Sequence, residues 1–280
     1  KLGIKIKILT GDSYEVAMSV AQKVGIVKNA TEVLTGEEFE KAGEAEQESI
    51  VEKVNVFARV SPKQKYRIVE LLQKKYEVGF MGDGINDAPA LKLAGVALAV
   101  DTASDIARDA SDIVLLNPSL GVIIDGIRGG RDIFSNMVKY LKTTLISNFG
   151  NFFAVVVALF LIPYLPMLPV QILLLNLLTD SPMIAIALDS VDRGELRRPR
   201  TYNIKEIIMM SIVFGIISTV FDLLFFFLFF KEAPSVLQTN WFIGSVITEL
   251  ALIYSIRTKL PFFKATSPSK MLMALSFVPA

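Results

Sequence analysis

Beyond Arg131 the sequence turns into long apolar stretches, and this is the feature that most narrows what the chain can become. A helix needs about 20 consecutive apolar residues to cross a bilayer. Val138 to Leu161, Pro169 to Leu188, Ile207 to Phe230 and the shorter Phe242 to Ile256 meet or approach that length, and a fifth stretch begins near Met271. Charge is distributed to match. Residues 1–136 hold 17 of the 29 Lys and Arg and 20 of the 28 Asp and Glu. The reading is therefore a water-facing part, 1–136, followed by an all-α transmembrane helix bundle, 137–280, with four spans and the start of a fifth. Lys139 and Lys142 near the start of the first span suggest that its helix begins in water as a stalk.

Loop charges set an orientation. The connection from Asp189 to Lys205 has five basic residues, and that from Arg257 to Lys270 has four and no acid, whereas the loops around 162–168 and 231–240 hold one Lys between them. Basic loops stay on the cytoplasmic side, which places the charged part there too and makes the chain a multi-pass protein of the plasma (inner) membrane. Trp241, at an expected outer boundary, suits an interfacial anchor.

What is missing limits the chemistry. The sequence has no Cys and no His, which excludes disulfides, thiolate nucleophiles, imidazole bases and soft-metal ligands. A net charge of +1, with no basic patch interleaved with aromatics, gives no case for nucleic acid. Because it starts inside a structured segment and stops inside an apolar run, the chain reads as an internal piece of a longer protein.

The charged part reads as α/β. IKIKIL (4–9) alternates like a strand and leads through Thr10-Gly11-Asp12-Ser13 into a helical pattern to Val24. VFAR (56–59) leads to Ser61 and Pro62, a cap and first-turn pair, and a helix to about Lys74. VGFM (78–81) runs into Gly82-Asp83-Gly84-Ile85-Asn86-Asp87 and a helix over 88–94. VALAV (96–100) and DIVLL (112–116) have the continuous apolar character of strands covered on both faces. A Rossmann-like layered fold follows, with ligands at the carboxyl ends of the strands. Both loops lie at such ends. Their glycines let amides approach an anion, Thr and Asn donate to phosphate oxygens, and carboxylates hold a hard cation. Taken alone, TGD is an ordinary turn.

TGDS (10–13), FARVSPKQK (57–65) and MGDGINDAPALK (81–92) together resemble the motifs of P-type cation-transporting ATPases, whose catalytic domain is of the haloacid-dehalogenase type. The resemblance implies a partial phosphorylation domain in which Thr10, Gly11 and Asp12 contact the phosphoryl group and Lys65 neutralises it. Asp83 would bind the catalytic Mg2+, Asn86 would lie near the phosphoryl oxygens, and Asp87 would support the metal. The family's phosphorylated Asp, in a DKTGT sequence, is absent here, and ATP would be bound mainly by a domain upstream. By itself this chain is expected to be inactive.

Polar groups within the spans are costly and so mark function. Asn148 and Asn151 lie three apart, Asn176 and Asp180 four apart, each pair on one helix face. Pro182 frees the carbonyl of Leu178. Convergence of these oxygens between two antiparallel helices would make a cation site, with Asp222 and Glu249 as further carboxylates; the competing reading is hydrogen-bonded glue between helices. SNFGN (147–151), PYLPMLP (163–169) and NLLTD (176–180) resemble the family's cation-binding fifth and sixth helices, and RRPR (197–200) and NWFIGSVITEL (240–250) resemble its magnesium-transporting branch. A calcium pump is the alternative, since Thr179 follows that pattern. Few carboxylates suit Mg2+, which keeps its waters.

The expectation is the carboxyl-terminal portion of an ATP-driven pump for a divalent cation, working in the lipid bilayer together with the rest of the same polypeptide. A membrane-anchored phosphatase would leave the ionisable groups in the spans unexplained, and a channel would leave the phosphoryl motifs unexplained.

Overall fold

A computed structural model describes residues 2–117 and 119–277; the end of the fifth apolar stretch, 278–280, lies outside the described residues. The chain forms two compact units, Ile4–Asp125 and the residues from Gly126 onward together with 2–3.

The first unit contains β1 (Ile8–Leu9), α1 (Tyr14–Lys23), β2 (Val33–Thr35), α2 (Gly36–Lys41), α3 (Glu44–Lys53), β3 (Val56–Ala58) and α4 (Pro62–Gln73). It continues with β4 (Gly79–Met81), α5 (Ala88–Leu93), β5 (Val96–Val100), α6 (Asp105–Asp109) and β6 (Ile113–Leu115). The strands form two parallel three-stranded sheets, ordered β1-β3-β2 and β4-β5-β6. Parallel strands need crossovers, and helices supply them. The α4 crossover starts as its sequence indicates: Ser61 Oγ accepts from Gln64 N–H at 3.3 Å, Gln64 Oε1 accepts from Ser61 N–H at 2.9 Å, and Pro62 occupies the first turn. Phe39, Val51, Phe57 and Ile68 make one core cluster and Val69, Phe80, Ala90, Leu91 and Ala97 another, and Leu9 packs against both. β1 is thus placed between the two sets of layers.

Two differences from the sequence reading stand out. Of IKIKIL only Ile8 and Leu9 pair, because the β3 ladder begins at Ile8 opposite Val56; Ile4 and Ile6 are exposed. Residues 33–53, unassigned by periodicity, form β2, α2 and α3, with a Thr35–Glu38 capping box at the start of α2.

The second unit is built on α7 (Leu120–Leu161) from Gly126 onward, α8 (Pro169–Ala185), α9 (Ile204–Phe229), α10 (Pro234–Ile256) and α11 (Lys270–Phe277). Four of these helices, α7 to α10, with a 3-10 turn extending α8 to Leu188, are long and apolar enough to cross a membrane. The 42 residues of α7 span about 63 Å and pass position 136 without a break, so the expected boundary lies inside one helix. Phe160, Leu173, Phe227 and Leu228 are exposed, as lipid-facing residues are, while Ala154, Ala158, Leu175, Met183, Phe226 and Ile253 form the core. Trp241 belongs to that core: it is 2% exposed and its indole N–H donates to Asp222 Oδ1 at 3.1 Å. It is not an interfacial anchor. The α7 and α9 backbones meet at two glycines. A Cβ on Gly150 would lie 2.9 Å from Ser218 Cβ, and one on Gly215 would lie 3.0 Å from Phe149 Cβ.

Gly215→Val is therefore expected to destabilise the bundle by about 1–3 kcal/mol, read as a lowered unfolding midpoint in detergent. A second expectation concerns Lys7, whose pKa is lowered from 10.5 to about 8, chiefly by burial and then by Lys5, against the opposing pull of Glu52. Between those values the unfolded chain holds the proton and the folded chain does not, so stability rises with pH there. Urea unfolding of Lys7→Met across that window should lack the rise.

Candidate functional site

Each unit gathers polar groups at one place. In the first unit, Thr10 follows β1 directly, and its N–H donates to Phe57 O at 2.9 Å. Thr10 Oγ1 donates to Asp12 Oδ2 at 2.8 Å and accepts from Asp12 N–H at 3.1 Å, which closes the Thr10-Gly11-Asp12 turn on itself. The loop is also tied to the β3–α4 crossover, since Val60 N–H donates to Thr10 O at 3.0 Å and Arg59 N–H to Asp12 O at 2.9 Å. Arg59 holds a φ of 51°, the left-handed region that non-glycine residues avoid at a cost of about 1 kcal/mol or more. No feature of the sequence signals that strain.

The second loop follows β4. Asp87 is buried and its two oxygens are engaged separately: Oδ1 accepts from Lys65 Nζ at 2.7 Å, and Oδ2 from Gly84 N–H at 3.2 Å. The Lys65 and Asp87 side chains are 13% and 9% exposed, so the pair exists in a partly dehydrated setting where neither charge can be left alone cheaply. Asp83 and Asn86 are exposed beside it, and Asp83 O accepts from Ser104 N–H at 2.9 Å. Of the two carboxylates expected at a metal, Asp83 is the one left open to a cation. Asp87 is directed at Lys65, which this contact sets apart from Lys63, Lys74 and Lys75 nearby in the sequence. Gly82 is required by this packing, because a Cβ there would lie 2.5 Å from Asp87 Cβ. The first loop thus places a hydroxyl and amides at the end of β1, with the Thr10 hydroxyl and the Asp12 N–H engaged with each other inside the turn, and the second loop places a lysine and an open carboxylate at the end of β4. That combination can bind and polarise a phosphoryl group with a hard cation.

In the second unit the helices bring together Asn151 of α7 and Glu249 of α10: Asn151 Nδ2 donates to Glu249 Oε1 at 2.7 Å. Glu249 is 4% exposed, and Ser147, Thr179 and Asp180 lie beside it. The sequence reading marks Thr179 only for its calcium-pump pattern and does not mark Ser147, although Ser147 lies four residues before Asn151 and so on its face. Asn148, Asn176 and Asp180 are exposed in this chain and do not converge in the manner their spacing suggests. Asp222 is also buried, but its neighbours are N–H and O–H donors: Trp241 Nε1 at 3.1 Å and Ser245 Oγ at 3.3 Å. Donors aimed at one oxygen make an anion clasp between α9 and α10 rather than a cation shell.

Comparison with known proteins matches both parts. Residues 1–95 match the family of haloacid dehalogenase-like hydrolases, and residues 164–279 the family described as cation transporting ATPase, C-terminus. A magnesium-transporting ATPase, P-type 1, of Escherichia coli (strain K12) is 43% identical over 94% of this chain and 30% of its own length. One from Salmonella typhimurium is 40% identical over 99% of this chain and 31% of its own. A calcium-transporting ATPase of Bacillus subtilis is 30% identical over 93% and 31%. The chain thus spans less than a third of the length of these relatives.

Gly82→Ala should displace Asp87 and cost about 1–3 kcal/mol by overpacking. Gly84→Ala, whose Cβ would meet nothing closer than 3.6 Å, should stay within about 0.5 kcal/mol. Paired thermal unfolding measurements check both.

Proposed function

We propose that the chain belongs to the P-type cation-transporting ATPases and forms the phosphoryl-handling loops and part of the ion path of an ATP-driven magnesium pump. The observation that carries the reading is the contact of Asn151 with the buried Glu249 in the same chain as the Lys65–Asp87 loops. A membrane tether needs no dehydrated carboxylate at its centre, whereas an ion path does.

In this reading the nucleophilic aspartate comes from the DKTGT segment of the whole protein, and ATP is bound mainly by its nucleotide domain. Asp83 would hold a Mg2+ ion, which when bound would neutralise charge on the transferred phosphoryl group. The exposed carboxylate at the end of β4, a hard oxygen donor without a basic partner in the described ion pairs, fits that ion. Lys65, held by Asp87, carries the second positive charge, and the Gly11 N–H, with the Thr10 hydroxyl and Asp12 N–H once released from each other, would orient the phosphoryl oxygens. β1 and β4 each end their sheets, and their outer edges are where a strand bearing the nucleophile would add, with its carboxyl end beside both loops.

Asn151, Glu249, Asp180, Ser147 and Thr179 would hold the transported cation, an all-oxygen set suited to a hard ion. Asn148, Asn176 and Asp180, exposed at membrane depth, would be covered by spans from elsewhere in the whole protein, because polar side chains at that depth face protein rather than lipid. With Glu249 joining Asp180 the site has two carboxylates, so charge count no longer favours Mg2+ over Ca2+. The magnesium reading rests on relatives at 40–43% identity against 30% for the calcium pump.

The test is ATP hydrolysis by the whole protein with Mg2+, Ca2+, Mn2+ or Na+ added in turn. Glu249→Gln and Asp180→Ala should each lower cation-stimulated turnover at least about ten-fold, a loss of about 1.4 kcal/mol or more. Stimulation by Ca2+ but not by excess Mg2+ would reassign the cargo, and unchanged stimulation in both variants would overturn the site.

A further inference from the structure

The three helices that meet at Glu249, namely α7, α8 and α10, are joined a second time, at their ends near the basic loops. Asp189 follows α8 by one 3-10 turn (Ile186–Leu188), and its side chain is fully buried. Arg257, the residue that caps α10, donates to it from Nε at 3.0 Å and Nη2 at 3.3 Å. Lys139 of α7 places Nζ 3.5 Å from Oδ2, and Ser269 N–H donates to Oδ1 at 3.0 Å. The surrounding groups are held too. Lys139 Nζ donates to Asn136 Oδ1 at 3.0 Å and Ser190 O at 3.1 Å, Asn136 Nδ2 to Asp189 O at 2.7 Å, and Arg257 Nη1 to Thr266 O at 2.7 Å.

Apolar packing holds helices together but lets them slide and turn by small amounts, because every contact is replaceable by a similar one. A planar guanidinium paired with a buried carboxylate has one geometry, and its loss strands a dehydrated charge. The Asp189 cluster therefore fixes height and rotation. Along the helices, Arg257 lies eight residues from Glu249, about 12 Å, and Lys139 twelve residues from Asn151, about 18 Å. Sliding α7 against α10 would break the Asn151–Glu249 contact and the cluster together.

We propose that Asp189 is a positioning residue for the cation site, setting through Arg257 and Lys139 the register of α7, α8 and α10 and with it the distance between Asn151 and Glu249. This rests on the reading of Asn151 and Glu249 as the cation site. The helix that carries Asn151 is the same uninterrupted α7 that begins at Leu120, so the cluster is also where a shift of that helix is passed to α8 and α10.

The experiment compares two readouts in the purified whole protein: the Mg2+ concentration for half-maximal ATP hydrolysis, and labelling of the nucleophile by inorganic phosphate, which needs only the phosphoryl machinery. Arg257→Lys, which keeps the charge and loses the fork, and Asp189→Asn are expected to raise the half-activating concentration about ten-fold while phosphate labelling per folded molecule is unchanged. A purely structural role predicts less folded protein with an unchanged half-activating concentration; that result, or behaviour like the unsubstituted protein, overturns the proposal. Should Asp189→Asn yield no folded protein, Arg257→Lys decides. Glu249→Gln run alongside separates the two readings. If it loses cation stimulation while Arg257→Lys shows no shift, the positioning role alone fails; if it keeps full stimulation, the cation-site premise fails and takes the proposal with it.

Discussion

A carboxylate taken out of water must find a partner or lose its charge, and the structure is organised by how it meets that demand. Four of the buried carboxylates receive four different answers. Asp87 is matched by a lysine, Asp189 by a guanidinium and an ammonium, Glu249 by an amide, and Asp222 by an indole and a hydroxyl. The answers differ in what they leave available. Lysine and arginine partners complete a charge balance and produce fixed structure. An amide and hydroxyls leave net negative charge, so the Glu249 neighbourhood still has something to bind. A clasp of two donors on one oxygen of Asp222 provides cohesion between α9 and α10.

The same logic runs through the soluble unit at lower stakes. Helices α1, α2, α4 and α6 start with side-chain caps and the strands are parallel, so both chemical loops emerge at the same kind of place, a strand's carboxyl end. What makes them a site is the long-range contact from α4 to the loop after β4, which converts one of several similar lysines into a group with a defined position. Gly82 permits that contact by being small.

Much of this was legible in the order of residues. Ser61 and Pro62 announce a helix start, VALAV and DIVLL announce covered strands, and the apolar runs announce the spans, because each depends on local propensity or on periodicity. What was not legible depends on partners distant in sequence. Asn148 and Asn176 obey helical spacing yet face outward, since spacing fixes which residues share a face and not what the face meets. Trp241 lies near a helix end, where rings commonly sit at the interface, but Asp222 on the neighbouring helix draws it inward. Ile4 and Ile6 alternate correctly and remain unpaired, because a strand extends only as far as its neighbour does.

Trp241 is the sole tryptophan of this chain, and its ring is sealed between α9 and α10 with its N–H on a carboxylate. Indole emission responds to the polarity and hydrogen bonding around the ring. This chain therefore carries a built-in optical probe whose colour is set by the interior of the helix bundle. Any movement that parts α9 from α10, or changes the charge on Asp222, is written into the emission spectrum without a label being attached.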